Sequence, residues 1–223
     1  MLIPIPSGPS SLLPKSFYTG NDVVNIARSL VGKIISTKID GIHTSGIIVE
    51  TEAYRGPDDQ ACHAKNDIRT PRTEVMYHEG GILYVYICYG VHPMVNIVTG
   101  EEGNPHVVLI RAIEPLTGIE TMSERRGFYR NAVGLTSGPG KVATALGIHR
   151  VHQAKPVWNP SDAIVQLYDS GLSGFNIVEG YRVGMSKYTG PCAFRPWRFF
   201  MDKNPFVSRP LQVHYPDAWN AVD

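Results

Sequence analysis

Cysteine is scarce in this chain: three among 223 residues, at Cys62, Cys88 and Cys192. Their number is odd, their spacing wide, and no CxxC pair occurs, which excludes a disulfide framework and the usual structural zinc sites. Eight histidines are present, but none falls in an HxH or HExxH spacing, so no metal is expected. Long hydrophobic runs are missing too, with nothing near the roughly 20 apolar residues that cross a bilayer. Met1 to Ser16 hold four prolines and no positive region ahead of an apolar stretch, so no signal peptide is expected. An excess of either charge is absent, with 21 Lys and Arg against 20 Asp and Glu. That balance weighs mildly against a nucleic-acid partner unless charge is segregated. Segregation is visible: Lys65, Arg69, Arg72, Arg111, Arg125, Arg126, Arg130 and Lys141 crowd the middle, and no comparable acidic block follows. The expected location is cytoplasmic, or nuclear if the source is a eukaryote.

What is there reads as one folded unit behind a short lead. Residues 1–15, rich in Pro and Ser, are expected to form a flexible N-terminal arm, and residues 16–223 a single domain. Asn21 or Asp22 can cap a helix to about Val31, with Val23, Ile26, Ala27 and Leu30 as its apolar face and Gly32 ending it. Residues 33–37 and 44–54 read as strands joined across Asp40-Gly41, a hairpin signal. Residues 55–80 are polar loop with room for one short helix, and 82–88, 95–98 and 106–113 are the next strands. Thr117, with Glu120 three residues on, predicts a capping box for a helix to about Arg126. Ser137-Gly138-Pro139-Gly140-Lys141 opens another helix, closed by Gly147. Later strands are expected at 163–168, 177–178, 181–183 and 197–200. The fold class is α+β: a curved, mostly antiparallel sheet with helices packed outside and a projecting β-hairpin.

Chemistry concentrates between Ile48 and Pro115. Side chains alternate along a strand, so Glu50, Glu52 and Tyr54 share one face while Val49 and Thr51 share the other. Tyr84 and Tyr86 are likewise opposed to Val85 and Ile87. A carboxylate and several rings on rigid strands can hold a flat ring over a general base. Taken singly, each residue also has an ordinary role. Glu52 could be an edge glutamate in a salt bridge, and each tyrosine a core ring with a satisfied hydroxyl.

Taken in order and spacing, the motifs resemble one family. Pro14-Lys15-Ser16-Phe17-Tyr18, Ile48-Val49-Glu50-Thr51-Glu52-Ala53-Tyr54, Gly56-Pro57, Thr70-Pro71-Arg72, Tyr84-Val85-Tyr86, Tyr89-Gly90, Asn96 and Leu109-Ile110-Arg111-Ala112 are similar to the alkyladenine (3-methyladenine) DNA glycosylases. The likeness continues into Ser137-Gly138-Pro139-Gly140-Lys141 and Val183-Gly184, and thins after Tyr188. It implies a monofunctional DNA glycosylase of base excision repair, monomeric and independent of membranes. Such an enzyme flips alkylated or deaminated purines out of damaged double-stranded DNA and hydrolyses the N-glycosidic bond without metal or cofactor.

The resemblance also assigns roles. Glu52 is the carboxylate that activates water; Glu50, on the same face, receives no role from it and is read as a supporting or structural ion-pair partner. Tyr54, His63 and Tyr86 enclose the flipped base, while Tyr84 is core. Tyr89 intercalates to hold the gap, and Asn96 excludes normal guanine by clashing with its 2-amino group. Arg111 either holds DNA phosphate or orients Glu52, and a buried ion pair with an acidic neighbour is an equal reading from the residue alone. Ser137, Gly138 and Lys141 offer a phosphate seat at a helix N-terminus. Glu74 either weakens DNA binding or pairs with Arg72. Two rivals remain: a non-catalytic nucleic-acid-binding module, and a hydrolase of free nucleosides.

Overall fold

The structure, a computed structural model, describes residues 11–127, 132–159, 161 and 164–214. Among the described residues one sheet holds nine strands: β1 (Ser11–Leu12), β2 (Ile34–Ile39), β3 (Ile42–Arg55), β4 (Leu83–Cys88), β5 (His92–Thr99), β6 (His106–Thr117), β7 (Val165–Asp169), β8 (Ile177–Gly180) and β9 (Arg198–Met201). Every pairing is antiparallel. The main path runs β1-β7-β2-β3-β6-β5-β4, and β9 pairs with both β3 and β8.

β3 is the strand on which the rest is built. Its first half pairs with β2 across the Asp40-Gly41 turn, and at Glu50–Glu52 β9 takes over that edge. β6 lies along the other edge throughout. Flanked on both sides, residues 44–53 of β3 are buried without a break, including Glu50, Thr51 and Glu52 at 0% exposure. The β3–β6 register shifts between Ile48 and Glu50 and again between Glu50 and Thr51. The second shift leaves Arg111 between the partners Ile110 and Ala112, and a bulge of this kind re-aims a side chain.

Helices cover the sheet. Helix α1 (Val23–Leu30) begins where Asp22 accepts from the Asn25 N–H at 3.0 Å. Its period-3.6 stripe of Val23, Ile26, Ala27 and Leu30 is buried, and it packs on β3. Helices α2 (Ile119–Arg126), α3 (Ala132–Thr136) and α4 (Pro139–Leu146) form a second group, in which α4 rests on β5 and β6 and α2 on α4. A separate small cluster of Cys62, Met76, Tyr77, Tyr84, Val98 and Val107 packs beneath Tyr54 and Tyr86.

The α+β sheet and hairpin are as expected, but several local readings are corrected. Thr117 does not cap a helix, because β6 continues to pair Thr117 with Ser45. Gly118 takes the N-cap position instead, at φ 72°, where an added Cβ would lie 2.4 Å from the His43 carbonyl oxygen. Residues 181–183 form no strand, since the Val183 N–H and the Arg182 guanidinium are directed to Glu52 and Asp59. Ser11–Leu12, expected in the arm, pair with β7. Residues 55–80 carry two 3-10 turns, Lys65–Asp67 and Glu74–Tyr77. Glu74 pairs with Arg69 at 2.6 Å, not with Arg72. Residues 1–10 of the arm, Arg130, Ala163 and residues 215–223 lie outside the described residues.

Candidate active site

A pocket of about 620 Å³ opens between the end of β3, the β4–β5 hairpin and residues 183–189. Tyr54, His63, Tyr86, Tyr89, Asn96 and Arg111, all singled out from the sequence, line it. Glu52 is fully buried behind Tyr54, Arg111 and Val183, each of which touches its carboxylate. Its Oε2 accepts the Tyr54 hydroxyl at 2.7 Å and lies 3.3 Å from Arg111 Nη1. Its Oε1 accepts the Val183 N–H at 2.7 Å. Two hydrogen bonds and one ion pair therefore fix the carboxylate in one orientation.

Arg111 is itself held from below. Its Nε donates to Glu50 Oε1 at 2.8 Å, and its Nη2 to Ser208 Oγ at 3.2 Å. Glu50 also accepts from Arg198 Nε at 2.8 Å, from the Ser208 N–H at 2.7 Å and from Ser208 Oγ at 2.9 Å. Burial pushes the Glu50 carboxyl upward, but the Arg111 and Arg198 charges and the Ser208 N–H outweigh it and hold the group below its ordinary value. Burial likewise works against charge on Arg111, and Glu52 and Glu50 more than compensate, raising it. This arrangement fits the orienting role for Arg111. With 6% exposure and both carboxylates as partners, the guanidinium is committed inward rather than to DNA phosphate.

The aromatic walls are braced from outside. The Arg182 guanidinium lies 4.8 Å from the Tyr54 ring centroid, bonded to Asp59 Oδ1 at 2.9 Å and stacked 5.3 Å from Trp197. Arg72 lies 5.0 Å from the Tyr86 centroid. His63 meets Tyr86 edge-on, with centroids 4.7 Å apart. Its Nδ1 is 2.8 Å from the Tyr84 hydroxyl and its Nε2 is 3.1 Å from Arg72 Nη2. Arginine only donates, so Nε2 accepts and the proton of the neutral ring sits on Nδ1. Desolvation by these walls, then the Arg72 charge, push His63 down to about 4, although its edge reaches solvent at the mouth. Tyr84 is buried, as expected of a core ring, and its hydroxyl positions His63.

Tyr89 stands at the hairpin tip, 93% exposed, with φ 50° followed by Gly90 at φ 76°. A left-handed pair closes the turn and leaves the ring projecting into solvent. Asn96, 2% exposed, donates its Nδ2 to the Tyr84 carbonyl at 3.1 Å, which fixes the amide in the pocket wall. The 137–141 segment lies at the start of α4, and a Cβ on Gly140 would approach His92 Cβ to 3.2 Å. The N-terminus of α4 thus abuts the hairpin at His92, which pairs with Cys88 next to the turn. Ser137 Oγ donates to the Val207 carbonyl at 3.5 Å, and Lys141 is half-buried.

Residues 16–205 match the methylpurine-DNA glycosylase family. The chain belongs to that family. A relative from Chlamydia felis is 44% identical over 192 residues, covering 86% of this chain and 96% of its own. One from Bacillus mycoides is 42% identical over 208 residues, covering 88% and 98%. Another, from Desulfitobacterium hafniense, is 40% identical over 203 residues, covering 88% and 98%. All three carry the name "Putative 3-methyladenine DNA glycosylase". Family membership makes the chain a DNA glycosylase, a hydrolase of N-glycosyl bonds in DNA repair.

Several residues of this glycosylase site escaped the reading of the sequence. Asp59, Arg182, Arg198 and Ser208 brace it, and Met94, Leu109 and Tyr188 line it. The Arg182-Val183-Gly184 run was the available signal for one of them.

Two measurements test this electrostatic frame. Replacing Glu50 with Gln leaves Arg111 and Arg198 short of a buried counter-charge and should cost about 3–5 kcal/mol in urea unfolding at neutral pH. Because the folded value of Glu50 is depressed, its contribution is complete above the unfolded carboxylate value and is lost as pH falls through the folded one. The gap between wild type and variant should therefore narrow in acid, and a gap that is constant with pH would contradict the assignment. In NMR, the His63 ring signals should stay flat from about pH 8 to about pH 5.5, whereas a free histidine titrates near ~6.5. A midpoint at that ordinary value would refute the packing described.

Proposed function

We propose that this glycosylase flips alkylated or deaminated purines out of duplex DNA, acts as a monomer, and hydrolyses the N-glycosidic bond with Glu52 as general base. The observation that carries this reading is Glu52 fixed by Tyr54, Arg111 and the Val183 N–H, directly behind these three lining residues of an aromatic pocket. A base inside a duplex is out of reach, so it is extruded at a cost of a few kcal/mol in lost stacking. Tyr89 enters the gap, and the base lies among Tyr54, His63 and Tyr86, where aromatic stacking is worth ~1–3 kcal/mol per base. Glu52 takes a proton from water as the water oxygen bonds to C1′, and the C1′–N bond electrons leave with the base. Its negative charge also favours oxocarbenium character at the sugar. Cationic 3-methyladenine or 7-methylguanine departs neutral, while hypoxanthine or ethenoadenine needs a proton on leaving.

A neutral Nδ1–H His63 suits a cationic base, since an imidazolium there would repel it. Asn96 rejects normal guanine through its 2-amino group, and Ser137, Gly138 and Lys141 contact the DNA backbone from the start of α4.

The test is base release from duplex oligonucleotides carrying hypoxanthine, ethenoadenine or 7-methylguanine, with abasic sites revealed by hot alkali. Glu52→Gln should fall by ~10²–10⁴-fold while still binding the lesion duplex. Tyr89→Ser should lose roughly ten- to a hundredfold on duplex and nothing on free nucleosides. Equal activity of wild type and Glu52→Gln would overturn the catalytic assignment. A Tyr89 variant as active as wild type on duplex would favour nucleoside hydrolysis.

A further inference from the structure

Thr70-Pro71-Arg72 carries no role in the chemistry above beyond bracing His63 and Tyr86, yet Arg72 has a second surface. Behind Tyr84 and Tyr86 lies a notch of about 180 Å³, separate from the base pocket and lined by Arg72, Arg150, Gln153 and β4 residues. At ~30 Å³ per water it has the room of roughly six waters, enough for a hydrated phosphate group. No carboxylate lines it. Neither guanidinium has a carboxylate partner among the described residues, whereas nearby Arg69 and Arg55 are paired with Glu74 and Asp58.

The backbone adds donors. β4 ends the sheet path, so among the described residues its outer edge has no strand beside it. The 152–155 stretch covers that edge only at Leu83, whose N–H donates to the Lys155 carbonyl and whose carbonyl accepts from the Ala154 N–H, each at 2.9 Å. Antiparallel alternation then turns the N–H groups of Val85 and Ile87 outward as well, and both residues line the notch. Two cations and outward N–H groups around one small cavity make an anion site.

We propose that Arg72, Arg150 and the free edge of β4 seat a backbone phosphate of the duplex flanking the lesion. Tyr86 and Ile87 precede Tyr89 by two or three residues, so the β4 residues of the notch lie roughly 7–10 Å along the strand from the Tyr89 backbone at ~3.3 Å per residue. Phosphates follow one another at ~3.4 Å of helix axis per strand, so the seat takes one about two or three nucleotides from the gap. Because Arg72 also contacts His63, the same guanidinium joins backbone grip to the pocket wall. The inference rests on the reading of the protein as a duplex-binding glycosylase.

Fluorescence anisotropy with undamaged and lesion-bearing duplexes, over a salt series, tests it. Each phosphate contact contributes ~0.9 to the slope of log K against log salt. Arg150→Gln should therefore have a slope shallower by about 0.9, so the advantage of wild type should shrink about 3.5-fold between 50 and 200 mM salt. Both duplexes should weaken by the same factor, and base release at saturating enzyme should be unchanged. Arg150→Lys should restore the slope, and Lys203→Gln, which removes an equal charge from an exposed site, should leave it at the wild-type value. An unchanged slope in Arg150→Gln, or an equal change in Lys203→Gln, overturns the seat. A wild type that binds duplex but releases no base defeats the catalytic reading alone, and the slopes still decide the seat.

Discussion

Four charges share the dry interior beneath the pocket: Glu50, Glu52, Arg111 and Arg198, none more than 7% exposed at its side chain. Taking an ion out of water costs several kcal/mol, so such a group persists only where each member is matched in charge and in hydrogen bonds. Here the matching is also a positioning device. Arg198 and Ser208 fix Glu50, Glu50 fixes Arg111, and Arg111 with Tyr54 and Val183 fixes Glu52. β3, β6 and β9 each supply one or two members, so the cluster joins three strands and the C-terminal segment beside the candidate pocket. The paired register shifts in β3 and β6 aim Arg111 at both carboxylates.

The pocket walls repeat that logic at the next layer. Tyr54 and Tyr86 each have a guanidinium about 5 Å behind the ring, and neither Arg182 nor Arg72 lines the cavity itself. Cations held against the outer faces stiffen the walls while leaving the inner faces for a ligand. His63 is fixed at both ring nitrogens. Against this rigidity the Tyr89 ring at the hairpin tip is exposed, which suits the proposed entry into a base stack.

Much of this was legible in the sequence because it is local. The period-3.6 stripe of α1, the Asp40-Gly41 turn, and the alternation of Glu50, Glu52 and Tyr54 are written within a few residues of one another. Motif order then supplied the roles proposed for His63, Tyr89 and Asn96, which no local pattern gives. What escaped is long-range. Asp59 meets Arg182 across 123 positions, Glu50 meets Arg198 across 148, and Glu50 meets Ser208 across 158. Nothing around Ser208 marks it as a ligand of a carboxylate. Two of the misread segments failed for the same reason, since β6 overran the capping box at Thr117 and Glu52 claimed the Val183 N–H. Arg111 had two balanced readings in the sequence, and its buried ion pairs with Glu50 and Glu52 are visible only once the strands are in place.

The central claim is that the aromatic pocket above Glu52 receives one extruded purine while Tyr89 replaces it in the duplex. The most direct measurement is a crystal structure of Glu52→Gln bound to a duplex with a single ethenoadenine. The account predicts the modified base between Tyr54 and Tyr86 against His63, its sugar facing residue 52, with the Tyr89 ring in the stack. A lesion still paired within the duplex, or a base in the pocket with Tyr89 in solvent, would contradict it.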